Sequence, residues 1–557
     1  MLESALPEVN QWLVNNGFIR DTTKTHCFSY LGSLQCNHID VPVEISFIDL
    51  SFKELPEIYL RNPRPAPLCR PLPHVEHTNK LCYLDAETYR VDPYRPVQTF
   101  VNLLDQAKQV LVDSLAGKNA NDVGYEFSAY WDCTLRGITL SKHQSGNFIK
   151  YNFIKYFNLA GKEQRLIVIG NNDEILKYIN HKKVELIFSK NKNAIWISLS
   201  TTALLPFQGV WPPKHFNELY SWLKEVDSNA AKTLYKKLGT KEGTQNRLLI
   251  ILETKGSLVG VDIKIPTEEF IQSPGRFRKQ LLLDKGKSRI MLNRVGIDNL
   301  SPKFITSRNI LGKNLASKNI VLIGCGTIGG YLSRLLVQAG AGQGKGQLTL
   351  YDSQLLSSGN IGRHYLDENY LYENKAEACE HKLQGEFHSI KINSFPREFS
   401  SINDARNADI VIDATGREPF SLSLNELFVE CHNNNVGCPD ILYVWIDGNG
   451  YCGRTLYYNG KDSGCYRCLQ DLSGKDKFPP LKSENDLTPM TYQCGESYVP
   501  YPPSVSVQAA AMGLERVLEW ANGNIVHHFY NRKFHNKARE HKDQSLTITS
   551  GCPACQK

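Results

Sequence analysis

Two Cys-x-x-Cys pairs, Cys465-Tyr-Arg-Cys468 and Cys552-Pro-Ala-Cys555, lie downstream of a glycine run, Gly324-Cys-Gly-Thr-Ile-Gly329. The four thiolates can close a tetrahedral zinc site with Zn–S bonds of about 2.3 Å. The glycine run sits between an apolar segment, Asn319–Ile323, and a helical one, Tyr331–Val337. That is the setting a nucleotide-binding turn requires. A nucleotide fold stapled by a structural metal leaves few fold classes open.

The remaining 300 or so residues upstream need cores of their own, because a chain of 557 residues is about three domains long. Hydrophobic residues at 41% and charged residues at 22% are ordinary globular values. A net charge of +7, spread along the chain, makes no case for nucleic-acid binding. The first residues lack a basic and apolar leader, and no apolar run approaches the ~18 residues of a membrane span. Fifteen cysteines without a secretion signal point to reduced thiols used as ligands and nucleophiles in a cytoplasmic protein, not to disulfides. Residues 126–299 alternate apolar strands with helices and read as a separate α/β unit without visible chemistry, and the basic stretch Gly275–Gln280 reads as a linker.

Glycines 324, 326 and 329 let a backbone approach a pyrophosphate at a helix N-terminus. The next strand, Gln347–Asp352, ends in a carboxylate at a spacing that suits ribose hydroxyls. These features alone say adenine nucleotide, with NAD as the default. Asn360, Arg363, Lys375 and Asp413 follow, and cations with a Mg²⁺-binding carboxylate suit a triphosphate. The order GxGxxG, Asp, NxxR, Lys, Asp, CxxC, Cys, CxxC resembles the ThiF/MoeB adenylating family shared with ubiquitin-activating enzymes. The resemblance implies ribose binding by Asp352, phosphate binding by Asn360, Arg363 and Lys375, and Mg²⁺ at Asp413. It also implies a homodimer in which Arg308 reaches the partner's site, a structural role for the zinc, and Cys494 as the loop thiol that attacks an acyl-adenylate.

Near the N-terminus, Leu81-Cys-Tyr-Leu-Asp85 follows the proline-rich stretch Pro63–Pro67 and precedes a helical segment from Val97 to Leu111. This resembles a ubiquitin-conjugating domain with Cys82 as the thioester cysteine. The family's His-Pro-Asn is absent, and His74 stands where its asparagine is expected. Oxyanion stabilisation then falls to His74, to Asn79 or to backbone N–H groups. The expected fold is α/β multidomain. It comprises an N-terminal α+β ubiquitin-conjugating-like domain (1–125), a middle α/β domain (126–299) and a C-terminal Rossmann-like ThiF/MoeB adenylation domain with structural zinc (300–557).

That domain order is similar to the fused activating and conjugating enzymes of bacterial CBASS antiphage systems. The resemblance implies a cGAS/DncV-like nucleotidyltransferase as acyl substrate and partner, lysine-bearing targets, and ATP, Mg²⁺ and Zn²⁺ as cofactors. The competing readings are a MoeB/ThiF-like sulfur-carrier adenylyltransferase with accessory N-terminal domains, which would not need Cys82, and a non-catalytic nucleotide-binding scaffold. A plain NAD dehydrogenase leaves Asn360, Arg363, Lys375 and the Cys-x-x-Cys pairs without a task.

Overall fold

The computed structural model describes residues 5–24, 27–47, 54–62, 70–84, 92, 94–206, 211–243, 245–265, 290–434, 437–461, 463–483, 490–493 and 496–556. Pro63–Pro67, Asp85, Gly275–Gln280 and Cys494 lie outside these residues. The chain divides into two compact units, Met1–Leu300 and Ser301–Lys557.

The first unit opens with a four-stranded antiparallel sheet in chain order, Ile19–Asp21, Phe28–Cys36, Ile39–Phe47 and Glu57–Leu60. Alternation along the third strand buries Val41, Val43, Ile45 and Phe47, giving the sheet one apolar face. The helix Pro96–Leu115 begins with proline, whose fixed φ suits the first turn. It buries Phe100, Leu103, Leu104, Ala107 and Leu111, spaced three and four apart, in one core with those strand residues.

A second sheet follows in the same unit. Its order is Glu163–Gly170, Leu135–Thr139, Leu292–Asn299, Leu258–Lys264, Arg247–Glu253, Lys192–Ser198, Phe148–Phe157 and Glu185–Leu186. Glu163–Gly170 also pairs with Phe148–Phe157, so seven strands close into a ring, and Glu185–Leu186 is an appendage. The alternation of strands and helices did not imply this closure, because period-2 burial reads alike in open and closed sheets. Closure removes exposed edges. One core of this sheet gathers Tyr151, Phe153, Trp196, Leu249, Ile251 and Val295. Beside it Arg247 forks onto the fully buried Asp262 at 2.6–3.1 Å, and Tyr151 donates to the same carboxylate at 3.2 Å. Another core sets Phe127, Trp131, Trp211 and Trp222 together, with the Trp131 indole donating to the carbonyl of Gly260.

The second unit carries a seven-stranded sheet in the order Ile392–Phe395, Gln347–Tyr351, Asn319–Ile323, Ile410–Asp413, Asp440–Asp447, Cys452–Tyr458 and Phe529–Lys533. The first five strands are parallel and the last two antiparallel. The helices Thr327–Gln338, Lys375–Glu386 and Glu418–Asn433 connect parallel strands, as in a doubly wound sheet. From Asn319–Ile323 the chain winds first toward one edge and then, through Ile410–Asp413, toward the other. A crevice at the carboxyl ends of these strands is the expected consequence. One expectation fails here: Cys431 and Cys438 are joined in a disulfide, with Cα atoms 5.7 Å apart, where all thiols were expected reduced. Cys431 lies in the helix Glu418–Asn433 and Cys438 seven residues further along the chain, a proximity composition does not reveal.

Candidate functional site

The crevice of the second unit is a small cleft of about 80 Å³ that opens to solvent. Its floor is the glycine turn. Gly324 has φ +86°, in the region that favours glycine, and a Cβ there would stand 2.9 Å from the Thr415 backbone. Gly329 packs the first helical turn onto the loop so tightly that a Cβ would lie 1.7 Å from the Gly324 carbonyl oxygen. At Gly326 a Cβ would meet nothing within 4 Å, so the glycine there keeps open space that a ligand can use. Asp352 accepts from the backbone N–H of Cys325 and of Gln354, both at 2.8 Å, and so joins the end of its strand to the turn.

Lys375 opens the helix Lys375–Glu386, capped by the Asn374 side chain, and is itself buried. Its ammonium donates to the Gln354 side chain at 2.8 Å, and burial pulls its pKa down while the nearby Asp352 charge opposes the fall. Gln354, Arg397, Glu398, Phe399, Arg417 and Phe420 complete the walls, and none of them was singled out from the sequence. They follow the carboxyl ends of parallel strands, and that position is the signal that could have found them.

Of the expected ligand residues, Gly324, Gly326 and Asp352 line the cleft, and Gly329, Asn360, Arg363, Lys375, Asp413 and Arg308 stand outside its lining. Asn360 turns its side-chain oxygen back to the N–H and hydroxyl of Ser357. Arg363 donates to the Val499 carbonyl at 3.2 Å and lies 4.6 Å over the Tyr501 ring, and its Nε has no partner among the described residues. Tyr501 in turn meets the hydroxyl of Thr327, the first helical residue after the glycine turn, at 3.0 Å. Asp413 is 2% exposed and accepts from Thr415 N–H, Thr415 Oγ1 and Ser421 Oγ at 2.5–3.0 Å, while burial raises its pKa. A metal ion would reach that carboxylate only by displacing these donors. Arg308 is exposed in the last turn of the helix Pro302–Asn309.

The four cysteines of the paired Cys-x-x-Cys motifs converge. Sγ separations of 3.6 Å (Cys468 to Cys555), 3.9 Å (Cys465 to Cys552) and 4.0 Å (Cys465 to Cys468) match the roughly 3.8 Å between vertices of a tetrahedron with 2.3 Å bonds. The donor set and its burial fit a zinc ion, with Asn425 Nδ2 and Thr549 N–H donating to the sulfurs.

In the first unit, Cys82 follows a tight turn. Val75 pairs with Leu81 and Tyr59 with Lys80, Asn79 takes φ +69°, and the Cys82 N–H donates to the His74 carbonyl at 2.7 Å. The half-buried thiol donates to Glu76 Oε1 at 3.3 Å. Burial first, then the Glu76 bond and the charges of Glu76 and Glu126, push its pKa up to about 12, against a small opposing effect of Lys80. His74 is pinned. Tyr130 OH accepts its N–H at 2.6 Å, while its ring nitrogens face Asp122 at 3.3 Å and Glu126 at 3.4 Å. Glu126 chiefly, then Asp122, raises its pKa. With both nitrogens engaged, His74 is poorly placed to donate to an oxyanion. Asn79 lines a different groove, of about 430 Å³, with Lys24, Glu57 and Tyr59. Glu126 and Tyr130 thus belong with the Cys82 loop although they follow residue 125.

Residues 298–554 match the ThiF family, and residues 7–136 match the Prokaryotic E2 family B. The chain is 30% identical over 499 residues to the ATP-dependent ubiquitin transferase-like protein Cap2 of Pseudomonas aeruginosa strain BWHPSA011, covering 86% of this chain and 85% of that protein. It is 27% identical over 549 residues to Cap2 of Escherichia coli strain TW11681, covering 93% and 91%. Among solved structures, E. coli MccB with ATP is 18% identical, covering 44% of this chain and 68% of that one, with a TM-score of 0.32. The match to the Pseudomonas aeruginosa protein over most of both chains, with the Prokaryotic E2 family B segment at the N-terminal end and the ThiF segment at the C-terminal end, places the chain in the family of Cap2 ATP-dependent ubiquitin transferase-like proteins.

Proposed function

We propose that this protein activates the C-terminal carboxylate of a protein with ATP, carries it as a thioester first on Cys494 and then on Cys82, and ligates it to target lysines. The observation that carries the reading is Cys82, a half-buried thiol on a formed loop, on a chain that also holds an open glycine-turn cleft. A carboxylate is a poor acyl donor because its leaving group is oxide. Adenylation replaces that leaving group with AMP, and thiol attack then splits one difficult acyl transfer into easier ones.

In this reading the Gly326 backbone and the helix Thr327–Gln338 face the triphosphate, Asp352 turns to the ribose, and Lys375, Arg363 and Asn360 supply positive charge and hydrogen bonds to phosphate. Mg²⁺, held near Asp413, would screen the phosphate charge. The zinc ion at Cys465, Cys468, Cys552 and Cys555 is structural and fixes the outer strands. Residues 1–125 carry conjugation, 126–299 form the middle domain, and 300–557 carry adenylation. The acyl substrate we favour is a cGAS/DncV-like nucleotidyltransferase in antiviral defence, with a homodimer placing Arg308 at the partner's cleft.

The test is incubation with Mg-ATP and the nucleotidyltransferase of the same operon, followed by non-reducing gels and intact mass. Reducible adducts on both cysteines, with Cys82 loading lost in Cys494→Ala, support the relay. AMP formation with no thioester on Cys82 in wild type would move the reading to a sulfur-carrier adenylyltransferase.

A further inference from the structure

The Cys82 thiol is a difficult group to use. Its burial and its acidic surroundings disfavour the thiolate, so it is a weak nucleophile when it must accept an acyl group and a poor leaving group when it must release one. Both defects are cured by a group that takes the thiol proton on loading and returns it on discharge. The imidazole of His74 is committed to Asp122 and Glu126, and Lys80 is paired with Glu57. Glu76 is the carboxylate in contact with the sulfur. The turn it starts fixes its position: its N–H donates to the Lys80 carbonyl at 2.9 Å, its carbonyl accepts from Asn79 N–H at 2.9 Å, and Thr78 Oγ1 donates to its second carboxylate oxygen at 3.4 Å.

We propose that Glu76 is a catalytic residue of the conjugating site, a proton shuttle whose carboxylate, 3.3 Å from the Cys82 sulfur, serves both acyl transfers. This rests on the reading of Cys82 as the thioester cysteine. On loading, the Cys82 S–H proton moves to Glu76 as the sulfur attacks the incoming thioester. The new C–S bond forms, the donor C–S bond breaks with its electron pair on the donor sulfur, and Glu76 gives up the proton to that thiolate. On discharge, a neutral lysine amine attacks the acyl carbon and the C–N bond forms. The C–S bond to Cys82 breaks with its pair on sulfur, and the amine proton passes through Glu76 to that sulfur. No redox partner is needed and every proton is accounted for. Once Cys82 is acylated, the carboxylate has lost its S–H donor and is free to receive the acceptor's ammonium side chain.

The test uses the full-length protein and a defined probe, a glycine-terminated peptide thioester of mercaptoethanesulfonate, which charges Cys82 without ATP. Discharge to free lysine is followed by intact mass in wild type, Glu76→Gln and Glu76→Asp. General acid–base groups contribute at least about a hundredfold, so Glu76→Gln should discharge about a hundredfold more slowly, with part of the rate restored in Glu76→Asp. The second readout is iodoacetamide alkylation of Cys82 across pH 7–10, mapped by peptide. The groups acting on the thiol are Glu76, Glu126, Tyr130 and Lys80. Removing the Glu76 carboxylate makes the thiol more acidic, so alkylation at pH 8 should become faster while acyl transfer becomes slower. A merely structural role would not move the two in opposite directions. Wild-type discharge in Glu76→Gln, or alkylation and transfer falling together, overturns the shuttle and leaves the thioester reading intact. No acyl adduct on wild-type Cys82 removes the thioester reading itself.

Discussion

Two glycines three residues apart make opposite demands on the same turn, and alanine at each separates ligand space from packing space. At Gly329 a Cβ would sit 1.7 Å from the Gly324 carbonyl oxygen, against the 3.0 Å that real Cβ contacts rarely undercut. The loop must therefore shift by more than an ångström, and overpacking of this kind costs about 1–3 kcal/mol or more. At Gly326 the Cβ meets nothing and φ is −73°, so Gly326→Ala should leave unliganded stability within about 1 kcal/mol of wild type, in the stabilising direction if anything. A ligand at a hundred times its Kd adds about 2.7 kcal/mol to the folded state. For a unit of this size 1 kcal/mol moves Tm by about 2–4 °C, so Mg-ATP should raise the wild-type transition by roughly 5–11 °C. Gly326→Ala should lose that rise while keeping the unliganded Tm, and Gly329→Ala should unfold several degrees lower with or without nucleotide. Differential scanning fluorimetry with and without Mg-ATP decides it. An undiminished Mg-ATP shift in Gly326→Ala would refute phosphate approach at this turn. An unliganded Tm as low as that of Gly329→Ala would refute the open-space argument.

Three further outcomes are expected. Metal analysis of purified protein should find about one zinc ion per chain, and Cys468→Ser should lose it and lower the Tm of the second unit; a metal-free protein with all four thiols alkylated under native conditions would contradict the site. Because Glu126 and Asp122 raise the His74 pKa in the folded state, the stabilisation is fully present below the unfolded pKa of about 6.5 and is lost as pH rises through the folded value. Hydrogen exchange at residues 74–82 should therefore reveal weakening protection, beyond the intrinsic pH effect, above that pH, and Glu126→Gln should move the midpoint down; a midpoint unmoved by Glu126→Gln would refute the pairing. Arg247→Met strands the buried Asp262 carboxylate and should cost about 3–5 kcal/mol in denaturant unfolding, with most of it recovered in Arg247→Met/Asp262→Leu; no loss in the single variant would mean the pair is not desolvated as described.

The parts of the architecture legible in sequence were those written in local pattern. The glycine turn between Asn319–Ile323 and its helix, the carboxylate of Asp352 and the Cys-x-x-Cys pairs each carry their chemistry within a few residues, and the folded chain places them in one unit. What stayed hidden depends on side chains meeting across loops. Glu76 and Cys82 are six residues apart in a stretch without helical or strand periodicity, and they touch because His74 and Asn79 take positive φ. Glu126 and Tyr130 reach the same site from beyond a helix, and no spacing rule announces that. Asp413 reads as a ligand from its place at a strand end, but the depth of that end and the hydroxyls of Thr415 and Ser421 are tertiary facts. Ring closure in the first unit is likewise set by the pairing of Phe148–Phe157 with Glu163–Gly170, which alternation does not encode.

Tyr501 has two attachments, its ring beneath Arg363 and its hydroxyl on Thr327 at the start of the glycine-turn helix. Val499 holds the same guanidinium through its carbonyl. The 499–501 segment and the start of the glycine-turn helix therefore share one set of contacts. Thermodynamic reciprocity governs such sharing: if nucleotide changes the free energy of displacing the 499–501 segment by some factor, displacing that segment changes nucleotide affinity by the same factor. A protein partner that pulled on this segment would alter ATP affinity without touching the cleft, and the size of that change would measure how strongly the two are joined.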